Sequence, residues 1–255
     1  MTAFKSMAKK PIQAALGAVG LQLSKKQAAQ PSAELSDQPD WIRGIIRKVT
    51  PFTMTSHERL ASLCQAVAYV VKNRIEGDII ECGVWKGGSM MAAALALKHL
   101  GDTQRSLFLF DTFEGMSEPS EADVQASDKQ TATAMQDQNA DGWCYSPIDE
   151  VRSNIQSVGY PSDKIHLIKG KVEDTIPYAF PKPFAILRLD TDWYESTRHE
   201  LQHLYPQLVS RGALIIDDYG HWEGARRAVD EYIEANKLPL LLNRIDYTGR
   251  IAIKP

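Results

Sequence analysis

A doubly wound α/β fold, with helices on both faces of a mostly parallel sheet and a C-terminal antiparallel hairpin, is predicted by three observations. Short apolar runs of strand length alternate with segments of helical periodicity. Four of those runs end in acids: Asp78-Ile79-Ile80-Glu81, Leu107 to Asp111, Ile186 to Asp190 and Leu214 to Asp218. The first is followed by a glycine-rich turn, Gly83-Val84-Trp85-Lys86-Gly87-Gly88-Ser89, and then by an Ala-rich helix from Met90 to Leu100. Buried parallel strands are apolar throughout, and their carboxyl ends lie along one sheet edge, so acids far apart in sequence converge there on one crevice.

Taken in order, residues 1–40 read as a helical extension and linker, and 41–255 as one domain. Lys5, Lys9 and Lys10 precede a mildly apolar stretch from Pro11 to Leu23, with Lys25 and Lys26 after it. Gln13, Gly17, Gly20 and Gln22 make it too polar for a secretory signal, and it is too short to span a bilayer. A loosely held amphipathic helix, compatible with weak contact to a membrane surface, fits it better. Residues 24–40 have linker composition.

Thr55 or Ser56 before Glu58 starts a helix, in which Leu60, Leu63, Cys64, Val67, Val70 and Val71 recur at helical spacing up to Arg74. It leads into the first strand, the glycine turn and the second strand. A third strand is expected at Ile165 to Ile168, a fourth at Phe184 to Asp190 and a fifth at Ala213 to Asp218. Helices are expected over Ser196 to Leu208 and Glu223 to Ala235. The tail, Leu238 to Leu242 and Arg250 to Ile253 around Tyr247-Thr248-Gly249, reads as the closing hairpin. Residues 117–147 form a long acidic, polar connection on the ligand side of the sheet, where a substrate-covering lid and a solvated loop are the two readings, and a lid is expected.

The totals exclude several classes. A net charge of −3 without a basic stripe gives no footprint for nucleic acid. Cys64, Cys82 and Cys144 are neither a zinc pattern nor a disulfide framework, which fits a reducing, cytoplasmic setting.

The glycine turn, with Gly83, Trp85 and Ser89, departs from the Gly-x-Gly-x-x-Gly pattern of pyrophosphate sites. Glu81 in front of it suits a ligand with a positive end, and Asp111 could accept from two ribose hydroxyls. Together they suggest S-adenosylmethionine; the plainer alternative is that both acids merely cap the helices that follow. Asp190 and the pair Asp217-Asp218, on neighbouring strands, make an oxygen-only set of the kind magnesium prefers; a solvated acidic edge is the plainer alternative. Metal coordination would make an alkyl hydroxyl acidic enough for a nearby carboxylate to deprotonate. Asp192 is the candidate base and His221 the second candidate, although a histidine in such a loop can be mere surface.

The segments Glu81 to Ser89, Asp111-Thr112-Phe113-Glu114-Gly115, Leu187 to Thr197 and Ile215 to Tyr219 resemble the macrocin O-methyltransferase family, in matching order from about Thr50 to about Tyr232, with the first forty residues outside. The resemblance implies a Rossmann-like methyltransferase sheet, S-adenosylmethionine and Mg2+ as cofactors, and sugar hydroxyls as acceptors. It implies Asp190, Asp217 and Asp218 as metal ligands and Asp192 as base. It also implies that Thr53 and Met54 hold the methionine part of the cofactor, that Thr112 and Phe113 belong to the cofactor site with Asp111, and that Val172 and Glu173 flank the adenine. The acceptor expected is a small molecule or glycan with a free hydroxyl, a vicinal pair being able to chelate the ion, and the fold is compatible with a homodimer. A nicotinamide-dependent oxidoreductase and a non-catalytic binding protein on the same fold are the alternatives.

Overall fold

Seven strands, β1 (Asp78–Cys82), β2 (Leu107–Asp111), β3 (Ile165–Lys169), β4 (Phe184–Leu189), β5 (Leu208–Ile216), β6 (Asn243–Arg244) and β7 (Arg250–Ile253), form one sheet. In this computed structural model their order is β3-β2-β1-β4-β5-β7-β6. The first five are parallel, and β7 pairs antiparallel with both β5 and β6. The described residues are 35–138 and 142–255, and the chain divides into two units, 1–37 and 38–255. The expected N-terminal amphipathic helix and most of the linker lie outside the described residues.

The helices are α1 (Asp40–Val49), α2 (His57–Lys72), α3 (Gly88–Leu100), α4 (Ala132–Gln138), α5 (Ile148–Ser157), α6 (Val172–Thr175), α7 (Tyr194–Leu204) and α8 (Glu223–Ala235). Ser56 caps α2, its hydroxyl accepting from the Arg59 amide at 3.1 Å. Alternation along the strands sorts side chains onto the two faces. Ile80, Cys82, Phe108, Phe110, Leu187, Leu189, Leu214 and Ile216 share one core with Leu201 and Leu204 of α7 and Val229 of α8. The intervening positions, Glu81 on β1 and Arg188 on β4, belong to the opposite face and are direct cross-strand neighbours. On that face α2 packs against α3 and reaches β4 and β5.

The fifth strand begins at Leu208 rather than at Ala213, and two further boundaries move, each for a local reason. The helix expected over Ser196 to Leu208 ends at Leu204, where Pro206 removes an amide and a short 3-10 turn, Tyr205–Gln207, delivers Leu208 to β5. The final hairpin is built from Asn243–Arg244 and Arg250–Ile253, without Leu238 to Leu242. Leu238, Leu240 and Leu242 still pack against the core, but the Leu238 and Leu240 amides bond to Ile233 and Leu238 carbonyls in turns, next to Pro239.

Gly83 is the closest backbone approach that bears on the site. Its φ is +79°, and a Cβ there would lie 2.0 Å from the Asp190 carbonyl oxygen. Gly101 has a similar φ of +75° but nothing within 4 Å. In urea denaturation, Gly101→Ala should therefore cost about 1 kcal/mol, from the left-handed backbone alone, whereas Gly83→Ala should cost about 3 kcal/mol or more or prevent folding. Equal losses would show that the approach to Asp190 relaxes freely.

Candidate active site

The strand order reverses between β1 and β4, the switch point at which open α/β sheets bind ligands. One ladder bond past each strand continues the register: Gly83 N bonds Phe110 O at 2.8 Å, Asp190 N bonds Cys82 O at 2.9 Å, and Asp217 N bonds Leu189 O at 2.9 Å. The glycine turn and the aspartates are thereby held in line along one edge. A cleft of about 270 Å³ opens there.

At one end of the cleft, Asp111 ties β2 to the glycine turn. Its Oδ2 accepts from the Val84 and Trp85 amides at 2.7 and 3.1 Å, and its Oδ1 from the Phe113 amide at 2.7 Å. Trp85, whose amide donates to that carboxylate, adopts a φ of +46°. Ser89, at the start of α3, and Val172 and Glu173 of α6 complete this end.

In the middle, Arg188 is only 3% exposed. Its Nη1 donates to Asp190 Oδ2 at 2.6 Å and to Glu81, and its Nη2 donates to Thr55 Oγ1 at 2.8 Å and to Asp217 Oδ1. Thr55 in turn donates to Asp217 at 3.2 Å. Arg59, from the first turn of α2, donates through Nη1 to Asp217 Oδ2 and through Nε to Asp246 Oδ2 at 3.0 Å. Burial opposes the charge on both guanidiniums, but the surrounding aspartates outweigh it and raise both pKa values.

The carboxylates outnumber these cations. Burial pushes Glu81 up to about 7 in spite of Arg188, and burial together with neighbouring carboxylates raises Asp190 and Asp218 well above the ordinary range. Asp192, held by the Trp222 indole N–H at 3.0 Å, is pushed up to about 7 by burial and by Asp190. One carboxylate oxygen each from Asp190, Asp217 and Asp218 lies within 4.8 Å of the others, and Asp218 Oδ2 is buried without a hydrogen-bond partner. An oxygen-only donor set with excess negative charge fits a hard divalent cation.

At the other end of the cleft stand His221, Trp222, Tyr247 and Thr248, with Trp143 and Cys144 from the long connection after β2. The His221 Nδ1 lies 3.3 Å from the Tyr247 hydroxyl, and burial and Arg59 lower its pKa. Within the described part of 117–147, Val124 and Gln125 make bridges to Thr131 and Trp222. Asp123, fully buried, accepts from the Tyr194 amide at 2.7 Å and from Ser120. Trp143 packs edge-on against Trp193 and at a tilt against Trp222, and the Trp193 indole donates to Ser117 O at 3.1 Å.

The cleft brings together Thr53, Met54, Gly83, Trp85, Ser89, Asp111, Thr112, Val172, Glu173, Asp190, Asp192, Asp217, Asp218 and His221. Two expected cofactor residues do not line it. Glu81 is 1% exposed and turned to Arg188 beneath the cleft, because its place on β1 faces the helix layer. Phe113 is 3% exposed and packed inward. Arg59, Trp143, Trp222 and Tyr247 were not anticipated. Arg188 did leave a signal, since a charge inside the apolar run Ile186-Leu187-Arg188-Leu189 demands buried partners.

A parallel sheet of this order closed by an antiparallel β7, with a glycine turn and an acid at the ends of β1 and β2, is the fold of S-adenosylmethionine-dependent O-methyltransferases. The structure matches that of the O-methyltransferase NovP with a TM-score of 0.70 and 29% identity, covering 80% of this chain and 82% of that one. The calicheamicin methyltransferase CalS11 shares the fold, with a TM-score of 0.59 at 17% identity over 87% of this chain and 93% of that one. The chain belongs to the macrocin O-methyltransferase (TylF) family, whose model matches residues 8–252. The match thus takes in most of the first forty residues, which the motif resemblance left outside. It is 36% identical over 197 residues to the 8-demethyl-8-(2,3-dimethoxy-α-L-rhamnosyl)-tetracenomycin-C 4'-O-methyltransferase of Streptomyces olivaceus, covering 77% of this chain and 73% of the relative. It is 30% identical over 203 residues to the mycinamicin III 3''-O-methyltransferase of Micromonospora griseorubida, covering 77% and 76%. The chain is an S-adenosylmethionine-dependent O-methyltransferase, which sets aside the oxidoreductase and the non-catalytic protein. Among the described residues no helix is long and apolar enough to cross a membrane.

Asp246 anchors the turn that carries Tyr247. Burial alone would raise its pKa, but donation from the Gly249 amide, Ser56, Arg59 and the Thr248 amide brings it below the ordinary 3.8. A depressed carboxylate contributes stability that is present above its unfolded pKa and lost as the pH falls through its folded value. Asp246→Asn should therefore cost about 1 to 3 kcal/mol at neutral pH, the worth of charge-assisted hydrogen bonds. The gap to wild type should close as the pH drops below 3.8. Denaturant midpoints across pH measure it, and a gap independent of pH would show that the charge of Asp246 is not what stabilises the turn.

Proposed function

We propose that this chain transfers the methyl group of S-adenosylmethionine to a hydroxyl of the sugar in a glycosylated small molecule, in a magnesium-dependent reaction with Asp192 as general base. The observation that carries the reading is the joint placement of Asp190, Asp217, Asp218 and Asp192 in one cleft whose far end bears the glycine turn and Asp111. The tetracenomycin and mycinamicin relatives are named for methylation of sugar positions, which favours a glycoside acceptor.

S-adenosylmethionine would be held by Thr53 and Met54, by Gly83, Trp85 and Ser89, by Asp111 and Thr112, and by Val172 and Glu173, and it supplies the methyl group. Bound magnesium would sit on the aspartate triad and make an acceptor hydroxyl more acidic. Asp192 is held at Oδ1 by the Trp222 indole and lies beside Asp218, and its carboxylate would take the acceptor proton. His221, with Tyr247 on one ring nitrogen, acts at the acceptor end, and the described part of 117–147 acts as a lid that excludes water through Trp143. Three free cysteines suit a cytoplasmic enzyme.

Labelled methyl transfer to a panel of rhamnosylated small molecules is the direct test. Chelation should abolish turnover and added magnesium should restore it; full activity after exhaustive chelation would leave the triad another purpose. With an accepted glycoside, Asp192→Asn should lower kcat by about 100-fold to 10,000-fold with the acceptor KM little changed. His221→Ala should be milder, and the reverse ranking would exchange their roles. Asp111→Ala should weaken S-adenosylhomocysteine by about 2 to 3 kcal/mol in calorimetry. Undiminished affinity in a folded Asp111→Ala would remove the ribose assignment.

A further inference from the structure

We propose that Arg59 is a resident counter-ion of the aspartate triad, a positioning residue whose contact with Asp217 sets how tightly this chain holds a divalent cation. The proposal rests on the metal reading above. Both oxygens of Asp217 are engaged, Oδ1 by Arg188 and Oδ2 by Arg59. The two guanidiniums are not equivalent. Arg188 is 3% exposed and serves Glu81, Asp190, Asp217 and Thr55 at once, so moving it would strand buried carboxylates. Arg59 lines the cleft and has a second anchor, the 3.0 Å bond from its Nε to Asp246.

That anchor is built to stay. Asp246 is fixed by the Ser56 hydroxyl at 2.7 Å and by the Thr248 and Gly249 amides at 2.9 and 2.6 Å. Arg59 can therefore release Asp217 Oδ2 and remain paired. Without a divalent ion, Arg59 offsets the repulsion among the crowded aspartates. With one on the triad, the guanidinium beside Asp217 opposes it, since like charges at contact distance repel even in water and more strongly when buried. Cation binding then shifts Arg59 toward Asp246, the residue preceding Tyr247 on the cleft rim. Occupancy of the triad and the set of the acceptor-side turn become linked through one side chain.

The test is a titration of the full chain with Mn2+, free ion read by electron paramagnetic resonance, with S-adenosylhomocysteine binding as the check on fold. Arg59→Met should bind Mn2+ roughly tenfold more tightly or better, and Arg59→Lys, which keeps the charge, should stay within about threefold of wild type. Asp246→Asn removes the second anchor and should weaken Mn2+ several-fold. Unchanged or weaker binding by Arg59→Met that still takes up S-adenosylhomocysteine overturns the proposal. Should Arg59→Met fail to fold, unchanged or tighter binding by Asp246→Asn overturns it. Absence of Mn2+ binding in the wild type overturns the metal reading itself, and this inference with it.

Discussion

Arg188 places a permanent positive charge inside a parallel β-strand, where a guanidinium without partners would cost several kcal/mol. Its partners are therefore obligatory, and they come from four places in the chain: Glu81 on β1, Asp190 after β4, Asp217 after β5 and Thr55 before α2. One planar fork fixes the spacing between strand ends that would otherwise repel each other. The triad is thus preorganised by a group that does not itself line the cleft.

The face on which Arg188 lies follows from strand parity, and the division of labour in the cleft follows from that. Positions turned toward α7 and α8 are aliphatic or aromatic and carry the core, while Glu81, Arg188 and Asp217 lie on the α2 side. Beyond the strand ends, one end of the cleft, the proposed cofactor wall, is made by backbone turns from the first half of the sheet. The other end, the proposed acceptor wall, is made by side chains from its second half and by the aromatic cluster of Trp143, Trp193 and Trp222. Asp123 pins the start of the long connection beneath Gly224, where a Cβ would come within 2.2 Å of the carboxylate.

Much of this was legible in the chain itself. Strand ends, the glycine turn and the Ser56 cap are local signals, carried by hydrophobic period and capping chemistry, and they reappear almost residue for residue. The convergence of Asp190, Asp217 and Asp218 was legible because register follows from parallel topology. Glu81 was misread because an acid at a strand end points to either face according to parity, and only the neighbouring layer decides which. Arg59 and Tyr247 were invisible for another reason: they reach the cleft from α2 and from the last hairpin, and no local pattern records such long-range contacts. The hairpin itself shifted, since Leu238, Leu240 and Leu242 satisfy the core without joining a ladder.

Asp192 has a φ of +67°, a left-handed backbone that aspartate, asparagine and glycine tolerate and bulkier residues resist. The proposed base thus sits where aspartate, asparagine and glycine fit with the least strain, and the first two of these differ only by an amide. A lineage could lose the carboxylate through a single base change while the fold, the cofactor wall and the triad persisted. A silenced copy would be hard to tell from an active one by its overall shape. On the proposal that Asp192 is the base, the identity of this single side chain in relatives of this chain carries more information about activity than similarity across the whole sheet.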